Sequence, residues 1–137
     1  MQGFPHTTEQ RVTFRDCDML GHVNNAVYAT YFETARLDYL SALGGDAIGA
    51  FPLILAEITI SFKSPAFLRE TLEVGVRVSE IRNSSFIMES VIREKDSQRL
   101  VATSRAALVH YDYAEQRSKP LPEEWRKRLS EFEGRAL

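Results

Sequence analysis

The densest group of chemically capable side chains lies in residues 16–25, which read DCDMLGHVNN. This short stretch contains two carboxylates, one thiol, one imidazole and two amides, and it ends where a helix is predicted to begin. A carboxylate can serve as a nucleophile or as a general base. The first turn of a helix offers free backbone N–H groups and a partial positive charge, which stabilise an oxyanion. The segment therefore combines the two halves of an acyl-transfer site.

The same side chains also have structural interpretations, which their spacing leaves open. Aspartates in loops often accept hydrogen bonds from nearby backbone N–H groups, and Asn24 or Asn25 can cap the helix that follows. His22 can be a polar loop residue. Cys17 can be an inert small residue, or a nucleophile if His22 acts as its base.

We expect neither a metal ion nor an organic cofactor at this segment. Asp16 and Asp18 are spaced like the first ligands of a calcium-binding loop. The fifth and twelfth positions of that loop would be Leu20 and Val27, where calcium needs an oxygen ligand and a bidentate glutamate. A zinc site at Asp18 and His22 would require ligands from distant parts of the chain.

Two kinds of periodicity predict the elements that position the segment. Residues 11–15 predict a short strand, because Val12 and Phe14 alternate with polar neighbours. Residues 25–43 carry apolar side chains at helical spacing and predict one long helix, which Gly44 or Gly45 can end.

After this helix the period changes to two, which predicts strands. Asn83 and Ser84 predict a tight turn between two of the strands, and residues 95–98 predict a second turn. Pro122 suits the first turn of a C-terminal helix that extends to Phe132. The strands are expected at 58–62, 72–79, 86–93 and 100–111. The result is an α+β chain with an antiparallel sheet of about five strands, and one helix can bury only one face of it. We expect part of the other face to be a subunit contact.

The composition describes an ordinary globular chain. Its 137 residues suit a single domain, 1–137, and its net charge of −2 gives no basic surface for nucleic acid. No apolar run is long enough to span a membrane, and the N-terminus does not have the pattern of a signal peptide. Cys17 is the only cysteine, which fits a reducing compartment. We therefore expect a cytoplasmic protein.

Residues 14–36 resemble the 4-hydroxybenzoyl-CoA thioesterase family of hotdog-fold proteins. The resemblance is carried by FRDCDMLGHVNNAVY at 14–28, by YFE at 31–33 and by AR at 35–36. The run Gly-His-Val-Asn-Asn at 21–25 is similar to the acyl carrier protein (ACP) thioesterase branch. Weaker signs are FKSPA at 62–66 and TLEV at 71–74, and the likeness covers about residues 8–113 in element order.

The resemblance implies a hotdog fold, in which the sheet wraps around the long helix. It implies a homodimer whose sheets join edge to edge, often paired further into a homotetramer, with the site at the dimer interface. Asp18 falls on the family's catalytic carboxylate. The backbone N–H that polarises the thioester carbonyl falls near Asn25. His22, with Asn24 or Asn25, joins the site.

One departure affects substrate binding. The family's basic cluster after the third strand, which meets the CoA phosphates, is reduced here to Arg82. Lys63, Arg69 or a residue of another subunit is the candidate to supply the missing charge. The aromatic substrate pocket of the hydroxybenzoyl enzyme is not carried over, because His-Val-Asn-Asn replaces its aromatic pair.

Taken together with these residues, the resemblance implies an acyl-CoA thioesterase in which Asp18 is the nucleophile or the general base. The expected substrate-binding residues are Asn24, Lys63 and Arg82. The alternatives are an acyl-ACP thioesterase and a non-catalytic hotdog module that binds acyl thioesters. A hotdog dehydratase fits less well, because its acid usually sits elsewhere in the chain.

Overall fold

The computed structural model describes residues 1–44 and 52–137. Within these residues the chain forms an antiparallel sheet, two helices and a short 3-10 turn at Phe14–Asp16. The elements in chain order are β1 (His6–Arg11), α1 (Val27–Ala42), β2 (Leu53–Phe62), β3 (Thr71–Ile81), β4 (Ser85–Glu94), β5 (Leu100–Asp112), β6 (Arg117–Ser118) and α2 (Glu123–Glu133).

The strands lie in the order β1-β3-β4-β5-β2, and β6 pairs with the end of β5. Every pairing is antiparallel. This agrees with the α+β arrangement expected from the sequence. β1 and β2 are the two edges of the main sheet, so the outer edge of β2 has no strand partner among the described residues.

The core lies between α1 and the inner face of the sheet. Successive side chains of a strand point to opposite faces of the sheet. Every second residue of β3 from Leu72 to Val78 therefore faces the helix and is fully buried. Tyr28, Phe32 and Tyr39 are buried on the opposing face of α1. Burying each side chain of this size contributes about 1.5–3 kcal/mol, so the stripe holds α1 in place across the sheet.

The predicted strand at residues 11–15 is wrong. The first strand is His6–Arg11, and the chain then turns through Phe14–Asp16. Phe14 is 83% exposed instead of facing the core. The turn forms because the Asp16 carboxylate accepts hydrogen bonds from the Thr13 backbone N–H and hydroxyl.

Strand β2 begins five residues earlier than predicted, at Leu53 instead of Ile58. A β-bulge between Leu55 and Glu57 shifts the register against β5. An extra residue at a bulge interrupts the alternation of side chains. The first half of the strand therefore does not continue the period of two that predicts the second half.

The other elements confirm their predictions to within a few residues. Gly44, at a φ of 83°, follows the end of α1, and Gly45 lies outside the described residues. The hairpin between β3 and β4 turns at residues 82–85, where the Arg82 N–H donates to the Ser85 carbonyl at 2.7 Å. Helix α2 follows Pro122 and is anchored by Glu133, which accepts hydrogen bonds from the Tyr39 hydroxyl and, at 2.9 Å, from the Val78 N–H.

The outer face of the sheet is partly covered by the chain's own N-terminus. A Cβ at Gly75 would lie 2.6 Å from the Met1 sulfur, so glycine is needed for this close approach. Arg77 stacks over the Phe4 ring at 4.9 Å. Among the described residues, no helix is long and apolar enough to cross a membrane.

Candidate active site

A small backbone hairpin at residues 17–23 brings the candidate acid and the candidate imidazole together. Cys17 and Val23 form an isolated antiparallel bridge. Inside it, the Asp18 N–H donates to the His22 carbonyl at 2.9 Å and the Gly21 N–H donates to the Asp18 carbonyl at 3.1 Å. Gly21 closes the turn at a φ of 85°, a conformation that glycine adopts without steric cost.

The Asp18 carboxylate has one oxygen bound locally and the other directed to His22. Oδ1 accepts a hydrogen bond from the Leu20 N–H at 2.9 Å. Oδ2 lies 3.8 Å from His22 Nδ1, and both side chains are 30% exposed. Asp18 is thus fixed in orientation while it stays accessible to solvent or to a substrate.

Asp16 has a different environment from Asp18. Its Oδ2 accepts hydrogen bonds from the Tyr31 hydroxyl at 2.7 Å and from the Thr13 hydroxyl at 3.0 Å. Burial alone would raise the pKa of the Asp16 carboxyl, but the hydrogen bonds from Tyr31 and Thr13 outweigh it and lower that pKa below its ordinary value. Asp16 therefore connects the turn to α1 and has little freedom for chemistry.

Asn24 and Asn25, just before α1, have different roles. The Asn24 side-chain oxygen accepts a hydrogen bond from the Ala26 N–H at 2.9 Å, and its backbone carbonyl accepts one from the Val27 N–H at 2.9 Å. Asn24 thus caps the entry to the helix, although Ala26 occupies the formal N-cap position. The Asn25 backbone N–H finds no acceptor within residues 1–44 and 52–137.

A pocket of about 330 Å³ opens beside this helix start. Tyr28 and Phe62 form an aromatic wall, with ring centroids 5.4 Å apart. The exposed Lys63 has no carboxylate partner within the described part of the chain. The lining residues are His22, Val23, Asn25, Tyr28, Phe62, Lys63, Ser64 and Pro65.

Arg82 is not brought to this pocket. It lies just beyond the end of β3, where it pairs with Glu80 at 2.9 Å. The pocket lies near the other end, before Thr71, and a strand of this length spans roughly 33 Å at about 3.3 Å per residue. Within one chain His22, Asn25 and Lys63 line the pocket, and Asp18 lies 3.8 Å from His22. Asn24 caps the helix outside the pocket lining, and Arg82 lies apart.

Sequence reasoning missed the part of the pocket wall formed by Tyr28. That residue fits the apolar stripe of α1 and is almost fully buried. Its hydroxyl nevertheless accepts a hydrogen bond from the Ala66 N–H at 3.2 Å, which ties the helix to the loop after β2. The available signal was a tyrosine, with a polar tip, three residues after Asn25.

The arrangement suits acyl transfer. Asn25, whose backbone N–H has no acceptor among the described residues, lines one pocket with His22, and the Asp18 carboxylate lies 3.8 Å from the His22 imidazole. Among the described residues, no three His, Cys, Asp or Glu side chains are grouped so as to hold a metal ion.

A model of the thioesterase-like superfamily matches residues 12–129. The chain belongs to this superfamily. It is 35% identical to a thioesterase of Thermus thermophilus whose crystal structure contains coenzyme A and zinc. The two chains align over their whole lengths, with a TM-score of 0.91.

Two relatives of this chain differ in the carrier they are named for. The long-chain acyl-CoA thioesterase FadM of Escherichia coli is 26% identical over 128 residues, 91% of this chain and 97% of FadM. The acyl-ACP thioesterase ATL3 of Arabidopsis thaliana is 27% identical over 111 residues. That match covers 78% of this chain and 58% of the plant protein.

These similarities confirm two predictions. The structural match to the Thermus thioesterase confirms the hotdog fold. The superfamily and the relatives named as thioesterases confirm the enzyme class, a thioester hydrolase. The narrower resemblance to the 4-hydroxybenzoyl-CoA thioesterase family stays a prediction.

Proposed function

We propose that this protein hydrolyses acyl-CoA thioesters in the pocket at the start of α1. The observation that carries the proposal is the unpaired Asn25 N–H, which lies at a helix N-terminus and beside the imidazole of the Asp18–His22 pair. An oxyanion that forms there meets a donor already in position, which is the main electrostatic requirement of acyl transfer.

In the proposed reaction, the thioester carbonyl oxygen accepts a hydrogen bond from the Asn25 N–H. Asp18 then acts in one of two ways. As a nucleophile, its carboxylate oxygen bonds to the carbonyl carbon, the CoA thiolate leaves, and water hydrolyses the resulting anhydride. As a general base, it removes a proton from a water molecule whose oxygen attacks the carbonyl carbon, and the thiolate leaves with the proton. His22, 3.8 Å from the carboxylate, orients Asp18 in both cases.

A single turnover in ¹⁸O-labelled water identifies the nucleophilic mechanism when water attacks the Asp18 side of the anhydride. If Asp18 is only a base, all of the new oxygen in the product acid comes from water. If Asp18 is the nucleophile, water that attacks the Asp18 side of the anhydride leaves unlabelled oxygen in the product and label in Asp18. Mass spectrometry of the product and of the peptide containing Asp18 measures both.

CoA is the favoured carrier for two reasons. FadM aligns over nearly its whole length, and the Thermus neighbour was crystallised with CoA. Lys63 supplies a positive charge at the pocket that is unpaired among the described residues and suited to a CoA phosphate. ACP is the second candidate carrier, because ATL3 matches 78% of this chain.

We also propose that the enzyme works as a homodimer or homotetramer in the cytoplasm. The open edge of β2 and the half-exposed Phe62 beside the pocket both support association. Arg82 would contribute to substrate binding only if a second copy carried it to the pocket, because its own chain holds it at the far end of β3.

A free-thiol release assay tests the proposal. The substrates are short, long, branched and aromatic acyl groups, each carried by CoA and by ACP. We expect turnover of at least one acyl-CoA and a preference for CoA over ACP with the same acyl group. Turnover of ACP substrates alone would show that the carrier is ACP and not CoA. Saturable binding of acyl-CoA without thiol release would identify the non-catalytic module.

A further inference from the structure

A buried arginine on α1 has no use in the proposed reaction. Arg36 is only 5% exposed, and its Nη1 has no hydrogen-bond partner in the part of the chain that the structure describes. Within the described residues its guanidinium donates no hydrogen bond at all. Burial lowers the pKa of Arg36 and the nearby Glu33 raises it, but an arginine stays charged in proteins. A buried cation without a partner is costly, so such a group is normally paired in the functional state.

The side chain faces a second, small pocket between α1 and β2. This pocket of about 130 Å³ has room for the ends of one or two side chains and none for a long acyl chain. It contains one carboxylate, Glu33, which is exposed and forms no side-chain hydrogen bond or ion pair among the described residues. The lining residues are Ala29, Thr30, Glu33, Arg36, Leu55 and Ile58.

The flank around this pocket has the character of an interface. Leu37, on the exposed side of α1, is 59% exposed, and Leu55 of β2 is 40% exposed. The unpaired edge of β2 runs along the same flank. Exposed apolar side chains beside an open strand edge are the usual marks of a surface that another chain covers.

The charges in the pocket decide what covers it. A free anion drawn to Arg36 would meet the negative charge of Glu33 on the same helix. A second copy of this chain avoids the conflict, because it presents the same two charges. If a twofold axis places the two α1 helices antiparallel, each helix offers its carboxylate where the other offers its guanidinium.

We propose that Glu33 of a second copy pairs with Arg36 and that Arg36 of the second copy pairs with Glu33, forming a reciprocal four-charge cluster at the homodimer interface. The inference rests on the proposed homodimer and is independent of the hydrolytic mechanism. It assigns a role to Arg36, which the catalytic proposal leaves without one.

Sedimentation of charge-reversed variants tests the pairing without any substrate. Glu33→Lys should weaken the homodimer roughly 100-fold, because each introduced lysine would face Arg36 of the other copy. Arg36→Glu should do the same, because two glutamates would then face each other. An equimolar mixture of the two variants should restore the dimer, since each lysine then meets an introduced glutamate and each remaining Arg36 meets a native Glu33.

Further variants keep the test decisive if Arg36→Glu does not fold. Arg36→Met removes the charge while it keeps an apolar stem of similar length, so Glu33→Lys combined with Arg36→Met should regain most of the association. Glu131→Lys, an exposed charge reversal on α2, is the matched control and should leave the dimer unchanged.

Three results would overturn the proposal: a wild-type chain that sediments only as a 15.6 kDa species at micromolar concentration, a Glu33→Lys variant as dimeric as the wild type, or a mixture that fails to associate. Thiol release measured on the same preparations separates this failure from a failure of the proposed function.

Discussion

The Asp18 carboxylate and the His22 imidazole lie 3.8 Å apart because the backbone between them closes on itself. The Asp18 N–H donates to the His22 carbonyl, so the two side chains leave the same end of a tight hairpin. The pairing is therefore built into the local backbone, and it does not depend on the position of α1.

Asp18→Asn is expected to lower kcat by at least about 100-fold, because it deletes the nucleophilic or basic charge and keeps the size of the side chain. Asp16→Asn is the matched control. Its carboxylate is already bound by Tyr31 and Thr13, so the change should lower the melting temperature more than the rate. Steady-state thiol release and thermal melting of both variants measure this. Near-normal turnover by a folded Asp18→Asn variant would remove Asp18 from the mechanism.

His22→Gln is expected to reduce the rate less than Asp18→Asn does, because His22 orients the carboxylate. The double variant should be little slower than Asp18→Asn alone, since residues that act as a unit are not additive. Fully additive losses in kcat would show that the two side chains act independently.

Asn25→Pro tests the backbone donor. The Val27 N–H donates to the Asn24 carbonyl, so Asn25 is the second residue of a β-turn, a position that favours proline. The change removes an N–H that has no acceptor in the described structure, so no hydrogen bond is lost and we expect the variant to fold. The rate of the Asn25→Pro variant should be about 100-fold lower than that of the wild type. The Asn25→Ala variant keeps the N–H, so its rate should fall less. Equal rates for the two variants would place the oxyanion elsewhere.

Lys63→Met is expected to raise KM for acyl-CoA with little effect on kcat. The reason is that a CoA phosphate loses its positive partner while the reacting carbonyl keeps its donors. A truncated thioester of N-acetylcysteamine, which has no phosphate, should be hydrolysed equally well by both proteins. Lys127→Met on α2, also exposed and unpaired among the described residues, is the control. An equal loss with the truncated substrate would mean that Lys63 does not recognise phosphate.

Tyr31→Phe should destabilise the fold in a pH-dependent way. The folded-state pKa of Asp16 is lowered, so its contribution to the free energy of unfolding is present above the ordinary pKa of 3.8 and is lost as the pH falls through the lower folded value. At neutral pH the variant should be about 1.5–3 kcal/mol less stable, because a hydrogen bond to a charged carboxylate is lost. Denaturant unfolding below pH 3.8 should show a smaller difference. A difference that is constant with pH would exclude the carboxylate as the partner of Tyr31.

The sequence alone determined the features that depend on local spacing. Helix α1, the β3–β4 hairpin and α2 follow from apolar periodicity and from turn residues, which act over a few positions. The closeness of Asp18, His22 and Asn25 could also be expected, because they are neighbours along the chain. Strand β1 could not be expected, since His6–Arg11 has no apolar alternation and is held by its hydrogen bonds to β3.

The tertiary structure decided which of these neighbours remain free. Nothing in the spacing of Asp16 and Asp18 distinguishes them, but Tyr31 and Thr13 bind one carboxylate while the other keeps an oxygen toward His22. Lys63 reaches the pocket because β2 ends beside the start of α1, whereas Arg82 is held at the far end of β3. Burial and hydrogen-bond partners arise from residues distant in the chain, and no local pattern contains them.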